Sequence, residues 1–490
     1  MRDCVRFLLG DRLIEIREVD PTLTVLDWLR LDQRKVGTKE GCAEGDCGAC
    51  TVVVGRLEGG RVRYEAVNAC IRFVATLDGC QVLTVEHLKG ADGSLHPVQQ
   101  ALVDCHGSQC GFCTPGFVMS MFALYKGEEA PDGAAVDDAL AGNLCRCTGY
   151  APIVAASERM YALGAPAEDR FAAEAAVTAD RLAGLQDGET LRVGKAGRLF
   201  YAPATLEAFA DLLADHPDAR IVSGATDVGL WVTKFQRVLD VVIYTGRIQG
   251  FREIRDTGTA LEISAGATYT DVMGPVGAFY PDFGELIRRI GAVQVRNVGT
   301  IGGNIANGSP IGDTPPALIA AGATLVLRSA EGRRSMPIED FFIDYGKQDR
   351  RAGEFVETVV LPKPAPGARF RAYKITKRFD QDISAVCACF SVRIDGGTVA
   401  EARIAYGGMA ATPKRAVEAE KALVGKPWSE ATVRDAMAAL GRDFTPLTDW
   451  RASASYRRAV AANLLMKLYV ETTDPEADTR LVGDRRLVHA

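Results

Sequence analysis

Thirteen cysteines occur in the 490-residue chain, and eleven of them fall between Cys4 and Cys147. The remaining 343 residues hold only Cys387 and Cys389. This crowding restricts the fold more than any other feature of the sequence. A disulfide framework suits a short secreted chain. Here the chain is long, and its first residues read as a strand, Val5–Leu9, rather than as a leader. In a reducing compartment clustered thiols bind metal or do redox work. The first third of the chain is therefore expected to be a metal domain, and the expected location is cytoplasmic.

The cysteines form two quartets. Cys42, Cys47 and Cys50 have the spacing C-x4-C-x2-C, and Cys70 follows twenty residues later. A [2Fe–2S] cluster needs four thiolates converging on two irons. Gly45 and Gly48 let the loop wrap closely, with its amides free to bond the sulfurs. The spacing is that of plant-type ferredoxins, whereas zinc loops favour C-x2–4-C pairs; zinc or buried unpaired thiols are the alternatives. The second quartet is Cys110 and Cys113 with Cys145 and Cys147. C-x2-C alone is shared by zinc ribbons and redox dithiols, but the C-x-C partner suits a two-iron cluster. None of the five histidines, His87, His96, His106, His216 and His489, stands at ligand spacing from another. Four-thiolate zinc remains open for this quartet on spacing alone, but two quartets in one chain favour electron transfer over a structural metal.

Beyond Cys147 the signals are weaker. There is no G-x-G-x-x-G, so no Rossmann dinucleotide site is indicated. Two glycine-bearing turns stand beside apolar segments, Ile221–Val228 and Val298–Asn304. Such turns can bring backbone amides close to a pyrophosphate, although most glycine turns after strands are only turns. The net charge of −6 comes with no Lys/Arg-rich run, so no nucleic-acid partner is expected. The longest uncharged stretch, 107–125, is interrupted by Pro115 and polar residues, a poor bilayer span. No membrane partner is expected either.

Four segments are together specific: Gly41-Cys42 to Cys50-Thr51, Asn68-Ala69-Cys70, Gln109-Cys110-Gly111-Phe112-Cys113-Thr114-Pro115-Gly116, and Asn143-Leu144-Cys145-Arg146-Cys147-Thr148-Gly149-Tyr150. They resemble the iron–sulfur part of the molybdenum hydroxylase family over residues 1–160. The resemblance implies an α+β multidomain chain. Its order would be a ferredoxin-like β-grasp [2Fe–2S] domain (1–87), a four-helix [2Fe–2S] domain (88–163), a non-Rossmann α+β FAD-binding domain (196–366), an α+β C-terminal flavoprotein domain (367–475) and a tail (476–490). The residue pattern itself reads as a hairpin around Gly10–Asp11, a short amphipathic helix over Thr22–Leu31 and helices at Val98–Val103, Phe117–Tyr125, Val136–Ala141 and Ile153–Leu163 between Gly/Pro loops. Residues 164–195, rich in Ala, Asp, Glu and Gly with little periodicity, read as a linker or loosely held segment.

The same resemblance assigns residues. Ile221, Val222, Ser223, Gly224, Ala225, Thr226, Asp227 and Val228 match the family's first FAD loop. Thr300, Gly303 and Asn304 match the second, and Asp313 a further FAD contact. Phe355, Val356 and Lys374 occupy isoalloxazine-side positions, with an exposed surface lysine as the plain alternative for Lys374. Gln109 stands where the family touches the pterin of the molybdenum cofactor. No molybdopterin domain is present in the 490 residues. The resemblance therefore implies a molybdopterin-binding large subunit that carries the substrate-oxidising residues, with two copies of each subunit. Electrons would pass through two clusters to FAD and then to NAD+. The same small chain in a member of the family that acts on an aldehyde or another N-heterocycle is one alternative, and a stand-alone flavin reductase drawing electrons from NADH is the alternative from another class.

Overall fold

The computed structural model describes residues 1–127, 131–474, 476, 477 and 479. The expected tail over 476–490 lies, apart from those three positions, outside the described residues. The chain forms two compact units, Met1–Gln249 with Gly291–Gly299, and Gly250–Ile290 with Thr300–Ala490.

The first unit begins with a β-grasp sheet. Val5–Leu9 and Arg12–Ile16 pair antiparallel around Gly10–Asp11, as the hairpin signal predicts. Gln81–Leu83 then runs parallel to the first strand, and Thr51–Glu58 and Arg61–Asn68 complete the sheet. The helix expected over 22–31 starts later, at Val25. Thr24 caps it by accepting from the Asp27 amide at 3.1 Å. It continues as a wider turn, Trp28–Asp32, which sets Trp28 edge-on to Phe7 at 5.3 Å.

Four helices follow, Pro97–Asp104, Thr114–Gly127, Gly133–Leu140 and Ala151–Leu163. The second of them lays Phe117 and Phe122 into a core shared with Val53 and Leu83 of the sheet. A further sheet contains Leu191–Lys195, Arg198–Ala202, Val241–Tyr244 and Arg220–Val222. Its Val193, Phe200, Val222 and Val242 pack in one core with Phe7, Val52 and Val67 of the β-grasp sheet. Residues 196–249 therefore belong to the same compact unit as the cysteine domains.

The segment 164–195 departs from the expected loose linker. It folds into helices Arg170–Ala173 and Ala175–Ala183 and the strand Leu191–Lys195. Phe171 and Leu182 are buried. Asp187 is bound by Arg2 and Arg6, each at 2.6 Å, and by Arg247 at 3.1 Å. A few large side chains and an ion-pair network hold it, so no apolar period betrays it in an alanine-rich sequence.

The second unit carries a five-stranded antiparallel sheet in the order Ile254–Asp256, Ala260–Ser264, Phe355–Pro362, Thr324–Ser329, Gly332–Pro337. Its other sheet, Ala368–Ile375, Val386–Asp395, Thr398–Gly407 and Lys414–Arg415, packs its core against helices Val417–Leu423, Glu430–Asp443 and Ala454–Thr473. Helix Thr314–Ala321 is buried over 314–320 and lies against Val386–Asp395 and Thr398–Gly407. Among the described residues, no helix is long and apolar enough to cross a membrane.

The burial of Phe171 among Phe122 (4.9 Å), His96 (6.0 Å) and Tyr64 (6.3 Å) yields a direct test. Phe171→Ala should destabilise the first unit by about 3–5 kcal/mol in denaturant unfolding, the usual cost of emptying a phenylalanine site. A loosely held segment would lose less than ~0.5 kcal/mol.

Candidate functional site

The first quartet is assembled by strand register. Thr51 pairs with Asn68, so Cys50 and Cys70 meet at one end of the hairpin, where the Ala69 amide donates to the Cys50 carbonyl at 3.2 Å. Cys42 and Cys47 lie on the loop that precedes the first of these strands. The amides of Glu44 (3.4 Å), Asp46 (3.3 Å) and Cys47 (3.3 Å) all donate to the Cys42 sulfur. Contact with the Cys47 thiol, then the Cys70 thiol, and these amides hold Cys42 well below the usual thiol range. Cys47 and Cys70 are pushed up, each chiefly by its contact with Cys42, and Cys70 also meets Cys50. The thiols therefore pair as Cys42 with Cys47 and Cys50 with Cys70, bridged between Cys42 and Cys70. Four thiols gathered as two linked pairs, with three amides donating to the Cys42 sulfur, suit a negatively charged sulfur cage.

The second quartet joins two inter-helix turns. Cys110 and Cys113 lead into helix Thr114–Gly127, and Cys145 and Cys147 lie between Gly133–Leu140 and Ala151–Leu163. Here the thiols pair as Cys113 with Cys145 and Cys110 with Cys147. Burial, followed by the contact with Cys145, pushes Cys113 up to about 12. Burial also acts to raise Cys145, but donation from the Thr148 hydroxyl (3.2 Å) and amide (3.5 Å) outweighs it and the thiol falls. The Tyr150 hydroxyl accepts from the Cys145 amide at 3.0 Å. Gln109, Cys110 and Cys147 are exposed, as are Phe112, Leu144 and Tyr150, so this quartet opens to the surface.

The two cysteine loops touch. Leu144 donates its amide to the Cys47 carbonyl at 3.0 Å, and Asn143 Nδ2 donates to the Gly48 carbonyl at 3.2 Å. Gly48 adopts φ +71° and packs so closely that an added Cβ would lie 2.2 Å from the Gly142 oxygen. On its other side the first loop meets the helix that follows the first glycine turn. Thr233 donates its hydroxyl to the Ala43 carbonyl at 2.7 Å, and a Cβ on Gly229 would lie 2.6 Å from the Ile71 oxygen. One continuous set of contacts thus runs from the Cys145 loop through the Cys47 loop to helix Val228–Thr233, inside a single unit.

That helix and the strand Arg220–Val222 flank the turn formed by Ser223–Asp227. Ala225 adopts φ +58°, and the Ser223 and Thr245 hydroxyls meet at 2.6 Å. A Cβ on Gly224 would lie 2.0 Å from the Val298 oxygen. Only glycine lets the first turn meet the chain entering the second.

In the second unit, Thr300 caps helix Ile301–Asn307 by accepting from the Gly303 amide at 3.1 Å. Asn304 Oδ1 accepts from the Thr314 hydroxyl at 2.6 Å. Beside Thr314, Asp313 receives Lys374 Nζ at 2.6 Å and the Ser384 hydroxyl at 2.5 Å. Lys374 also donates to the Arg289 carbonyl at 3.0 Å and is only 8% exposed, so it is not a surface lysine. Asn304, Asp313 and Lys374 thus belong to one network. Phe355 and Val356 are buried in their strand, with Phe355 edge-on to Phe251 at 6.4 Å. Sequence reading missed Ser384, Thr314 and Gln294. The two hydroxyls carry no spacing signal, and Gln294 is marked only as a polar residue in an apolar run.

Four family models match the chain. They are a 2Fe-2S iron-sulfur cluster binding domain over residues 10–75, a [2Fe-2S] binding domain over 84–158, the FAD binding domain in molybdopterin dehydrogenase over 193–364, and the CO dehydrogenase flavoprotein C-terminal domain over 371–472. Xanthine dehydrogenase of Drosophila subobscura is 32% identical over 543 residues, covering 97% of this chain and 40% of that protein. Xanthine dehydrogenase/oxidase of Mus musculus is 30% identical, covering 96% and 39%. The chain thus spans about 40% of the length of these relatives. Among solved structures, a carbon monoxide dehydrogenase from Hydrogenophaga pseudoflava matches with a TM-score of 0.53 at 30% identity, covering 55% of this chain and 94% of that one. Quinoline 2-oxidoreductase from Pseudomonas putida 86 matches at 0.51 and 27%, with the same coverage.

Two independent quartets predict separable losses. The full chain should contain about four irons, two for each Cys4 set. Cys147→Ser should lower this to about two while flavin is retained, since flavin contacts are expected elsewhere. Iron analysis and paramagnetic resonance of the reduced protein would read this as the loss of one of two signals.

Proposed function

Because the chain belongs to the molybdenum hydroxylase family, of which it holds the iron–sulfur and flavin domains, we propose that it is the small subunit of a xanthine dehydrogenase. In this reading a molybdopterin-binding large subunit oxidises hypoxanthine and xanthine to urate, and this chain conducts the electrons to NAD+. When bound, the clusters supply one-electron transfer and FAD supplies the exchange between one- and two-electron steps.

The residues divide the work. Cys110, Cys113, Cys145 and Cys147 hold the cluster that faces the partner, since their loops are the exposed ones, and Gln109 extends from the same turn toward the pterin. Cys42, Cys47, Cys50 and Cys70 hold the second cluster, and donation from the Glu44, Asp46 and Cys47 amides stabilises its charge. Ile221–Val228, Thr300, Gly303, Asn304 and Asp313 hold FAD, with Phe355, Val356 and Lys374 toward its ring system. Lys374 is already answered by Asp313, so the pair fixes geometry rather than presenting a free cation. The observation that carries the reading is the unbroken contact from the Cys145 loop through the Cys47 loop to helix Val228–Thr233. A relay needs its stations adjacent and in this order.

The choice of xanthine rests on relatives that align over 97% of the chain, iron–sulfur and flavin parts together, whereas the solved carbon monoxide and quinoline enzymes cover 55%. The latter favour a second reading, the same relay beside a different molybdenum subunit.

Native purification discriminates between these readings. The chain should co-purify with a molybdenum-containing subunit in two copies of each, and the complex should reduce NAD+ with xanthine. Turnover with carbon monoxide or quinoline but not xanthine would move the chain to the second reading. Absence of any molybdenum subunit, with NADH-to-dye activity alone, would overturn both readings. In the same chain Asp313→Ala should lower flavin content more than Asn304→Ala, with iron unchanged in each. The former leaves a buried ammonium unpaired, which costs about 3–5 kcal/mol; the latter removes one neutral contact, about 1–3 kcal/mol.

A further inference from the structure

We propose that Gln294 is a positioning residue that fixes the two cysteine loops against each other and against the chain entering the second glycine turn. The proposal rests on the relay reading above and adds to it the element that sets its spacing.

The chain leaves the first unit at Gln249 and returns to it only for Gly291–Gly299. Three polar side chains anchor that return, all more than nine-tenths buried: Gln294 at 1% exposure, Arg296 at 3% and Asn297 at 5%. Arg296 reaches Asp138 at 2.6 Å, and Asn297 Nδ2 donates to the Ala66 carbonyl at 2.9 Å. Ala66 lies on the strand that leads to Cys70.

Gln294 stands among elements of both cysteine loops. Its Nε2 donates to the Ser120 hydroxyl and to Asn143 Oδ1, each at 3.0 Å, with the Thr51 hydroxyl a longer neighbour at 3.4 Å. Ser120 is on the helix that follows Cys113, Asn143 precedes Cys145 by two residues, and Thr51 follows Cys50. These partners are also bonded to one another. Ser120 donates to Asn143 at 2.7 Å, Asn143 to the Gly48 carbonyl at 3.2 Å, and Thr51 to the same carbonyl at 2.7 Å. Gly142 leaves room for the amide, since a Cβ there would lie 2.0 Å from Gln294 Oε1.

Gln294 is held through Nε2 alone, its buried Oε1 having no hydrogen-bond partner among the described residues; the Nε2 bonds are directional where apolar packing would let the loops slide. The two loops are therefore held at one separation. Val298 and Gly299, next in the chain, are delivered against Gly224. One side-chain amide joins the spacing of the cysteine quartets to the seating of Val298 and Gly299 on Gly224.

The test uses the full chain with its clusters and flavin. Gln294→Met keeps side-chain length and removes the donors. It should retain the iron of both clusters, but the spin–spin splitting between the reduced clusters in paramagnetic resonance should shrink or vanish, because dipolar coupling falls steeply with separation. The FAD dissociation constant from flavin titration should rise roughly three- to tenfold, the effect of losing one hydrogen bond. Gly142→Ala should give the same pair of changes by displacing the amide. If either variant fails to fold, Ser120→Ala removes a single acceptor and is read in the same way. Unchanged splitting and unchanged FAD affinity in a folded Gln294→Met protein would overturn the proposal. Wild-type protein without iron would overturn both this inference and the relay. Wild-type protein with iron and flavin but without xanthine turnover would remove only the substrate reading.

Discussion

At Gly48 the backbone turns with φ +71° and passes the Gly142 carbonyl at a distance that would put an added Cβ 2.2 Å from the oxygen. On its other side, a Cβ added to Gly116 would lie 2.2 Å from the carbonyl oxygen of Gly48 itself. Three glycines therefore meet where the two cysteine quartets approach each other, and at Gly48 and Gly116 the other loop leaves no room for a side chain. Electron tunnelling weakens steeply with distance, so a side chain at either of these two positions would lengthen the gap that matters most. The amide of Leu144 on the Cys47 carbonyl and that of Asn143 on the Gly48 carbonyl then fix the loops in register. The ordering of both quartets, and everything downstream of them, depends on this contact.

The distribution of cores follows from the same requirement. A sheet that begins the flavin half of the sequence shares one hydrophobic core with the β-grasp sheet, Phe200 and Val242 packing with Phe7 and Val52. Had each domain kept a private core, the relative placement of cluster loop and glycine turn would rest on a polar, mobile interface of the kind usual between domains. With a common core the two are as rigidly related as parts of one domain. Arg2, Arg247, Asp78 and Asp187 add directional restraint at the edge of this unit, with Arg247 reaching Asp78 at 2.7 Å. Such buried charge networks contribute little net stability, and their value lies in specifying one arrangement.

The sequence announces what is local and conceals what is not. Cys42, Cys47 and Cys50 carry their chemistry in their spacing, and the four helices around the second quartet follow from apolar period and Pro/Gly punctuation. Gly10–Asp11 marks its hairpin. Thr24 moved a helix start that periodicity alone placed at Thr22, because a cap competes with the pattern on equal terms. By contrast, 164–195 looked unstructured because Phe171 and Leu182 act through partners far away in sequence. Ser384, Thr314 and Gln294 matter through bonds to residues 71, 10 and 151 positions distant. No sequence window contains both ends of the first or the last of these bonds, and the second falls within one turn-and-helix stretch that carries no spacing signal. The resemblance named Asp313 and Lys374, but nothing in spacing revealed that they bind each other.

That pair illustrates how a buried charge is used in the second unit. Side-chain exposures of 3% for Lys374 and 7% for Asp313 mean that both ions lose most of their hydration, a cost that their 2.6 Å contact offsets only in part. An apolar pair would serve stability as well or better. What the ions add is connection. Asp313 begins helix Thr314–Ala321, whose face is apolar throughout and which could otherwise slip along the strands beneath it. Lys374 lies on Ala368–Ile375, and its remaining bond goes to the Arg289 carbonyl. Ser384 approaches the same carboxylate, and Thr314 next to it holds Asn304. One carboxylate thus ties together helix Thr314–Ala321, strand Ala368–Ile375 and, through Thr314 and Asn304, the helix Ile301–Asn307 that Thr300 caps. Gly303 and Asn304 are held through a charged pair at one remove, as Gly224 is held by the backbone of Val298.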